Sequence, residues 1–172
     1  MRTVFQSNTQ LSNVFATQSQ YTGRTNSMFF ERETAYSYGR HYIAAKFMNA
    51  DNGEKVCFIN KNSYSNTTLR HCQKLWNAIP DGIKTFRFSF GSRLDREILP
   101  ELIEKEKKEL EILLSKQLSA RNNWHYFLQA ELILWKIQDV SKLFNLSEIK
   151  CEHFKDYGKA FSRHLELKFI KK

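Results

Sequence analysis

His41 and His71 are the side chains of this chain best suited to move protons, because an imidazole changes charge close to neutral pH. With Arg40, Lys74 or a tyrosine beside them, such a pair could cleave RNA by general acid and base catalysis without a metal. No HxxxH, HxH or clustered carboxylate pattern accompanies them, which argues against a metal centre. Nothing in their spacing forces the two rings together. The simpler reading makes both of them hydrogen-bonded structural histidines, and the expectation is a protein with no hydrolytic activity, no metal and no cofactor.

The second chemistry is contact with a polyanion. In the stretch ETAYSYGRHYIAAKF, residues 33–47, an extended backbone would put Tyr36, Tyr38, Arg40 and Tyr42 on one face and Ser37, Gly39, His41 and Ile43 on the other. That tyrosine face is either the wall of a core or a partly exposed surface on which bases stack beside Arg40. Gly39 would let a backbone or a ligand approach closely. A helix from residue 66 would bury Leu69, Cys72, Trp76 and Ile79. Its opposite side would then present Arg70, Gln73, Lys74 and Asn77, types that bond phosphates and base edges, with no acidic residue among them. The same side is also what an ordinary solvated face looks like. The run NSYSNTT ahead of it places hydroxyls and open N–H groups at a helix N-terminus, where an anion would be welcome. Arg24 and Arg87 complete the set of basic candidates.

Elements must position these groups. Residues 1–27 are polar, with an apolar cluster at LSNVFATQ that is either a short helix capped by Asn13 or an extended arm. SMFFERE and AYSY read as short strands, and RHYIAAKFM and EKVCFI flank the hairpin signal NADNG. Ser65 or Asn66 caps the helix that follows, and Pro80 and Gly82 stop it. KTFRFSFG alternates as a half-buried strand. Further on, Leu99, Ile103, Leu110, Leu113 and Leu114 recur at helical spacing, with Pro100 in the first turn. The charge run EKEKKELE reads as a solvated face with pairs such as Glu104 and Lys108. WHYFLQAELILWKIQDVSKLF makes a second helix after the break RNN, so the two form an antiparallel hairpin. On it, Trp124, Phe127, Leu128, Leu132 and Trp135 are either core or an interface, such as a homodimer through the Trp124–Trp135 helix. The tail is a helix or a strand. The fold class is therefore α+β: a small mixed or antiparallel sheet with a crossing helix in residues 1–92, followed by a C-terminal helical hairpin in residues 93–172. The second region either packs on the first or serves as an appendage.

At 172 residues with 41% hydrophobic content, the chain can build a real core. Residues 1–92 hold 11 Lys or Arg against 5 Asp or Glu, so +6 of the net +9 lies there. Such a field favours nucleic acid or an acidic protein surface. No apolar run reaches the roughly 18 residues a membrane span requires, and no signal segment opens the chain. The three cysteines lack any CxxC pair, which fits a reducing cytoplasm, with Cys57 and Cys72 as small buried hydrophobes.

Three motifs carry a resemblance. Phe15-Ala16-Thr17-Gln18-Ser19-Gln20, then Tyr36 to His41, then Tyr64 to His71, stand in this order. The chain thereby resembles an uncharacterised domain family common in bacteriophage genomes and prophages, in which W/F-A-x-Q-x-Q precedes a YSYGxH strand and a YSxTTxxH helix start. The likeness covers the first half well and the helical half only in type. It implies a phage-type protein in the cytoplasm of an infected bacterial host. Together with the charge, it leads to the expectation of a non-enzymatic basic protein that binds DNA, RNA or a host nucleoprotein defence complex, as an anti-CRISPR-type inhibitor would. The alternatives are a small metal-independent nuclease using His41 and His71, and a structural or dimerisation protein.

Overall fold

Hydrophobic alternation on β6 (Lys55–Asn60) organises the whole molecule. Val56 and Phe58 point to one side of the sheet, Cys57 and Ile59 to the other, and all four are buried. A strand covered on both faces reads as a continuous apolar run, as this one does. The computed structural model describes residues 3–62, 64–119 and 124–146. The tail, with Cys151, lies outside the described residues.

Among the described residues the sheet has seven strands in chain order. β1 (Thr3–Val4) runs parallel to β2 (Thr22–Arg24), and β3 (Met28–Glu31), β4 (Thr34–Ser37), β5 (Ile43–Asn49) and β6 continue as an antiparallel meander. β7 (Thr85–Phe88) pairs in parallel with β6. A parallel pair needs a crossover, supplied here by the helix α2 (Asn66–Ala78). The Asn-Gly signal does close the β5–β6 hairpin, with Gly53 at φ +80° and Ala50 N–H donating to the Glu54 carbonyl at 2.8 Å.

One face is covered by α2 and by α1 (Asn8–Thr17), which bury Phe15, Leu11, Cys72 and Leu75 against Phe30, Phe47 and Ile59. The apolar cluster in the polar N-terminal segment is therefore a helix. Its cap is Ser7 rather than Asn13, the Ser7 hydroxyl accepting the Gln10 N–H at 3.1 Å. On α2, Ser65 is the cap, accepting the Thr68 N–H at 3.2 Å. The buried stripe differs from the expected one: it consists of Thr68, His71, Cys72, Leu75 and Ile79, while Leu69 and Trp76 are exposed. The helix is rotated by about one position, because His71 finds polar partners inside in Asn8, Ser27 and Ser37.

The other face is covered by the antiparallel hairpin of α3 (Leu99–Ser119) and α4 (Trp124–Leu143), which shares one apolar cluster with Phe58, Phe86, Phe88 and Phe90. The second region is thus packed on the first. Pro100 lies in the first turn of α3. The charge run on α3 is not all solvated: Glu106 is 2% exposed and bonded to Lys136, while Lys61 approaches its other oxygen at 3.0 Å. The surface pair present is Glu104 with Lys107 at 3.2 Å. Lys136 also donates to the Arg87 carbonyl at 3.1 Å and lies 4.7 Å from the Phe88 ring centre. At the other end, Arg96 grips Asp51 and donates to the Phe144 carbonyl at 3.0 Å, tying the β5–β6 turn to the end of α4.

On α4 the buried residues are Ala130, Ile133, Ile137, Val140, Ser141 and Leu143. Leu128, Leu132 and Trp135, expected as core or interface, are exposed together with Ile112 of α3. The side chain of Trp124 lies outside the described residues. Among the described residues, no helix is long and apolar enough to cross a membrane.

Candidate functional site

The extended reading of residues 36–42 fails at Tyr38. β4 ends at Ser37, and Tyr38 takes a left-handed backbone, φ 61°, so the chain turns instead of alternating. Tyr38 N–H donates to the Ser27 carbonyl at 2.8 Å and Tyr42 N–H to the Gly39 carbonyl at 3.1 Å, which closes the turn. The four residues expected on one face are thereby scattered. Tyr36 stacks on Phe29 with ring centres 4.8 Å apart and packs against the sheet core. Tyr42 is buried, its hydroxyl bonded to the Asn62 carbonyl, and burial pushes its ionisation far above the ordinary value of 10.0. Tyr38 stands 61% exposed and Arg40 is exposed beside it.

Two clefts share Tyr38 as a lining residue. The first, about 240 Å³, is lined by Arg24, Asn26, Ser27, Glu31, Tyr38 and Arg40, among others. It brings together three of the expected residues from β2 and the two turns. Arg40 is held by Glu31, with Nη2 to Oε1 at 2.8 Å, and that carboxylate raises its pKa further. The second cleft, about 330 Å³, is lined by Ser37, Tyr38, His41, Tyr42, Tyr64, Ser65 and Thr68. A Cβ on Gly39 would fall 2.6 Å from His41 Nδ1, so the close neighbour this glycine admits is the His41 ring itself. Tyr64 was not among the expected site residues. Its signal was the single aromatic set among the hydroxyls of NSYSNTT.

Beneath Tyr38 lies His71, 2% exposed, with ring centres 5.7 Å apart. Ser37 Oγ is 2.7 Å from Nδ1, and Asn8 Nδ2 and Ser27 Oγ are 3.0 and 3.3 Å from Nε2. Thr25 donates to Asn8 Oδ1 at 2.5 Å, which fixes the amide with its NH₂ toward the imidazole. Nε2 is therefore an acceptor and Nδ1 carries the proton. The network joins α1, α2, β4 and the β2–β3 turn. Both nitrogens of His71 are engaged by protein, whereas His41 is exposed and lines the second cleft.

Burial, and then the charge of Lys74, lower the His71 pKa below 6.5. As pH falls, the unfolded chain takes up this proton before the folded one does. The network's contribution to stability is thus complete above about pH 6.5 and is lost as pH falls through the depressed folded value. Unfolding free energy measured by urea titration is expected to decline from pH 7 to pH 5, with a flatter profile in His71→Asn. A wild-type profile that is flat over this interval would contradict the assignment.

The remaining candidates lie on α2 and β7. Arg70 is exposed. Lys74 donates to Thr9 of α1 at 2.7 Å, and Gln73 donates to Asn77 at 2.7 Å. Arg87 donates to Gln73 at 3.1 Å and lies 4.1 Å from the Trp76 ring centre, a cation–π contact. Trp76 therefore packs against an arginine at the rim, not inside the core. Among the described residues no three His, Cys, Asp or Glu side chains gather in a way that could hold a metal ion. No family model, curated protein or solved structure matches the chain.

Proposed function

We propose that the protein is a non-enzymatic binder of nucleic acid, working through the surface that runs from the Arg24–Arg40 cleft over Tyr38 to Arg70 and Lys74 of α2. The observation that carries this reading is the exposed Tyr38, raised on a left-handed turn with Arg24 and Arg40 lining the cleft at its side. Exposed aromatics interleaved with cations are what backbone-tracking and base-stacking recognition require. The excess charge of residues 1–92 supports it, as does the lack of acidic side chains on α2. In the setting suggested by the phage-type motifs, the nucleic acid is one handled in the cytoplasm of an infected bacterium. A host nucleoprotein defence complex would offer the same chemistry.

Binding of duplex DNA, single-stranded DNA and RNA 20-mers, followed by fluorescence anisotropy across a salt series, tests the proposal. Counterion release gives a slope of about −0.7 per phosphate contact on single strands. Neutralising Arg24, Arg40, Arg70 and Lys74 to Gln is expected to flatten the slope by about 3. Absence of binding to all three probes at low salt would remove the reading.

A further inference from the structure

The second cleft has a chemistry of its own. Tyr64 is 76% exposed and Tyr38 61% exposed, and both line it together with His41, Ser65 and Thr68. Two open aromatic rings lining one cleft form a local apolar surface, and here the turn at Tyr38 and an edge contact of Tyr64 on buried Tyr42, 5.4 Å between centres, hold both in place.

We propose that the cleft between Tyr38 and Tyr64 receives one unpaired base of a single-stranded nucleic acid, stacked on a tyrosine face. The inference rests on the nucleic-acid reading above and names the form recognised. The wall is mostly apolar, which suits the flat face of a base better than a phosphate. The adjoining helix terminus is already served, since Ser65 accepts the Thr68 N–H and its hydroxyl lies 2.8 Å from that of Thr68. The phosphates belong instead at the first cleft, where Arg24 and Arg40 line the wall and a phosphate would compete with Glu31 for the Arg40 guanidinium. A base inside a duplex is stacked on its neighbours and would have to be extruded to enter, at the expense of pairing. His41 and the two hydroxyls stand at the cleft to meet a base edge without demanding one sequence.

The test compares three fluorescein-labelled probes at one salt concentration: a single-stranded dT 20-mer, an abasic 20-mer with the same phosphates, and a 20-bp duplex. The dT strand is expected to bind roughly 5- to 150-fold more tightly than the abasic strand, the range that one stacked base supplies. Tyr64→Ala, and Tyr38→Asn with a side chain that tolerates the left-handed backbone, should each bring dT binding down toward the abasic level. Their salt slopes should stay unchanged, because no cation is removed. Far-ultraviolet circular dichroism and thermal melts confirm that both variants are folded. Equal affinity for dT and abasic strands would overturn the base cleft while leaving the polyanion reading intact. Loss of salt slope in the tyrosine variants, or tighter binding to the duplex than to dT, would also overturn it. No binding to any probe would sink both readings.

Discussion

Replacing Glu106 with alanine is expected to destabilise the protein by about 3–5 kcal/mol, the usual result of removing one member of a buried ion pair. Glu106 is 2% exposed, and its two oxygens hold Lys136 of α4 and Lys61 at the end of β6. Lys136 is itself mostly buried, and burial lowers its pKa despite the carboxylate beside it. Without Glu106 it would sit near the Phe88 ring, short of a counter-charge. Lys61 would suffer less, since Glu109 remains 2.5 Å from it. Urea unfolding checks the size of the effect. A double variant, Glu106→Gln with Lys136→Met, should recover much of the loss, because it removes the charge along with its partner. A loss below about 1 kcal/mol in Glu106→Ala would show that water reaches the site and screens it.

Phe58→Ala should cost a similar amount, about 3–5 kcal/mol, for a different reason. Phe58 is fully buried at the junction of sheet and hairpin, with ring centres 5.7, 5.9 and 5.8 Å from Phe86, Phe88 and Phe144. Truncation leaves a cavity that a pleated strand cannot close, since its backbone is pinned on both sides by β5 and β7. The damage should fall first on the hairpin: amides of α3 and α4 are expected to lose protection in hydrogen exchange before those of β5. Equal loss across the whole chain would mean that sheet and hairpin unfold as one unit.

How far the sequence could be read depended on how local the deciding interaction was. Strand and helix identities from residue 28 to residue 114 follow from periodicity and from punctuation such as Asn52-Gly53, Ser65 and Pro80, all of which act within a few residues. The face of α2 is harder, because the expected Leu69 and Trp76 and the observed Thr68 and Leu75 lie on adjacent stripes that share Cys72 and Ile79. Hydropathy favours the first choice. What decides for the second is that His71 is satisfied by Asn8, Ser27 and Ser37, residues 63, 44 and 34 positions away. Tyr38 was legible as a candidate but not as a turn residue, since a left-handed tyrosine has no marker in composition. Glu106 was hidden inside a charge run, where its neighbours Glu104 and Lys107 behave as a solvated surface should. Arg24, Tyr38 and Arg40 were named from type alone, and only the meeting of two turns puts them at one cleft.

The last strand of the sheet gives the lysine beside Glu106 another consequence. The carbonyls of Lys84 and Phe88 accept N–H groups from Cys57 and Lys61, so they point inward toward β6. The carbonyl of Arg87, one step out of phase, points to the outer rim, and Lys136 takes it. Among the described residues, this outward acceptor of β7 is thus occupied from the helical layer by the same ammonium group that Glu106 holds, a cover of the kind that blunts a strand edge.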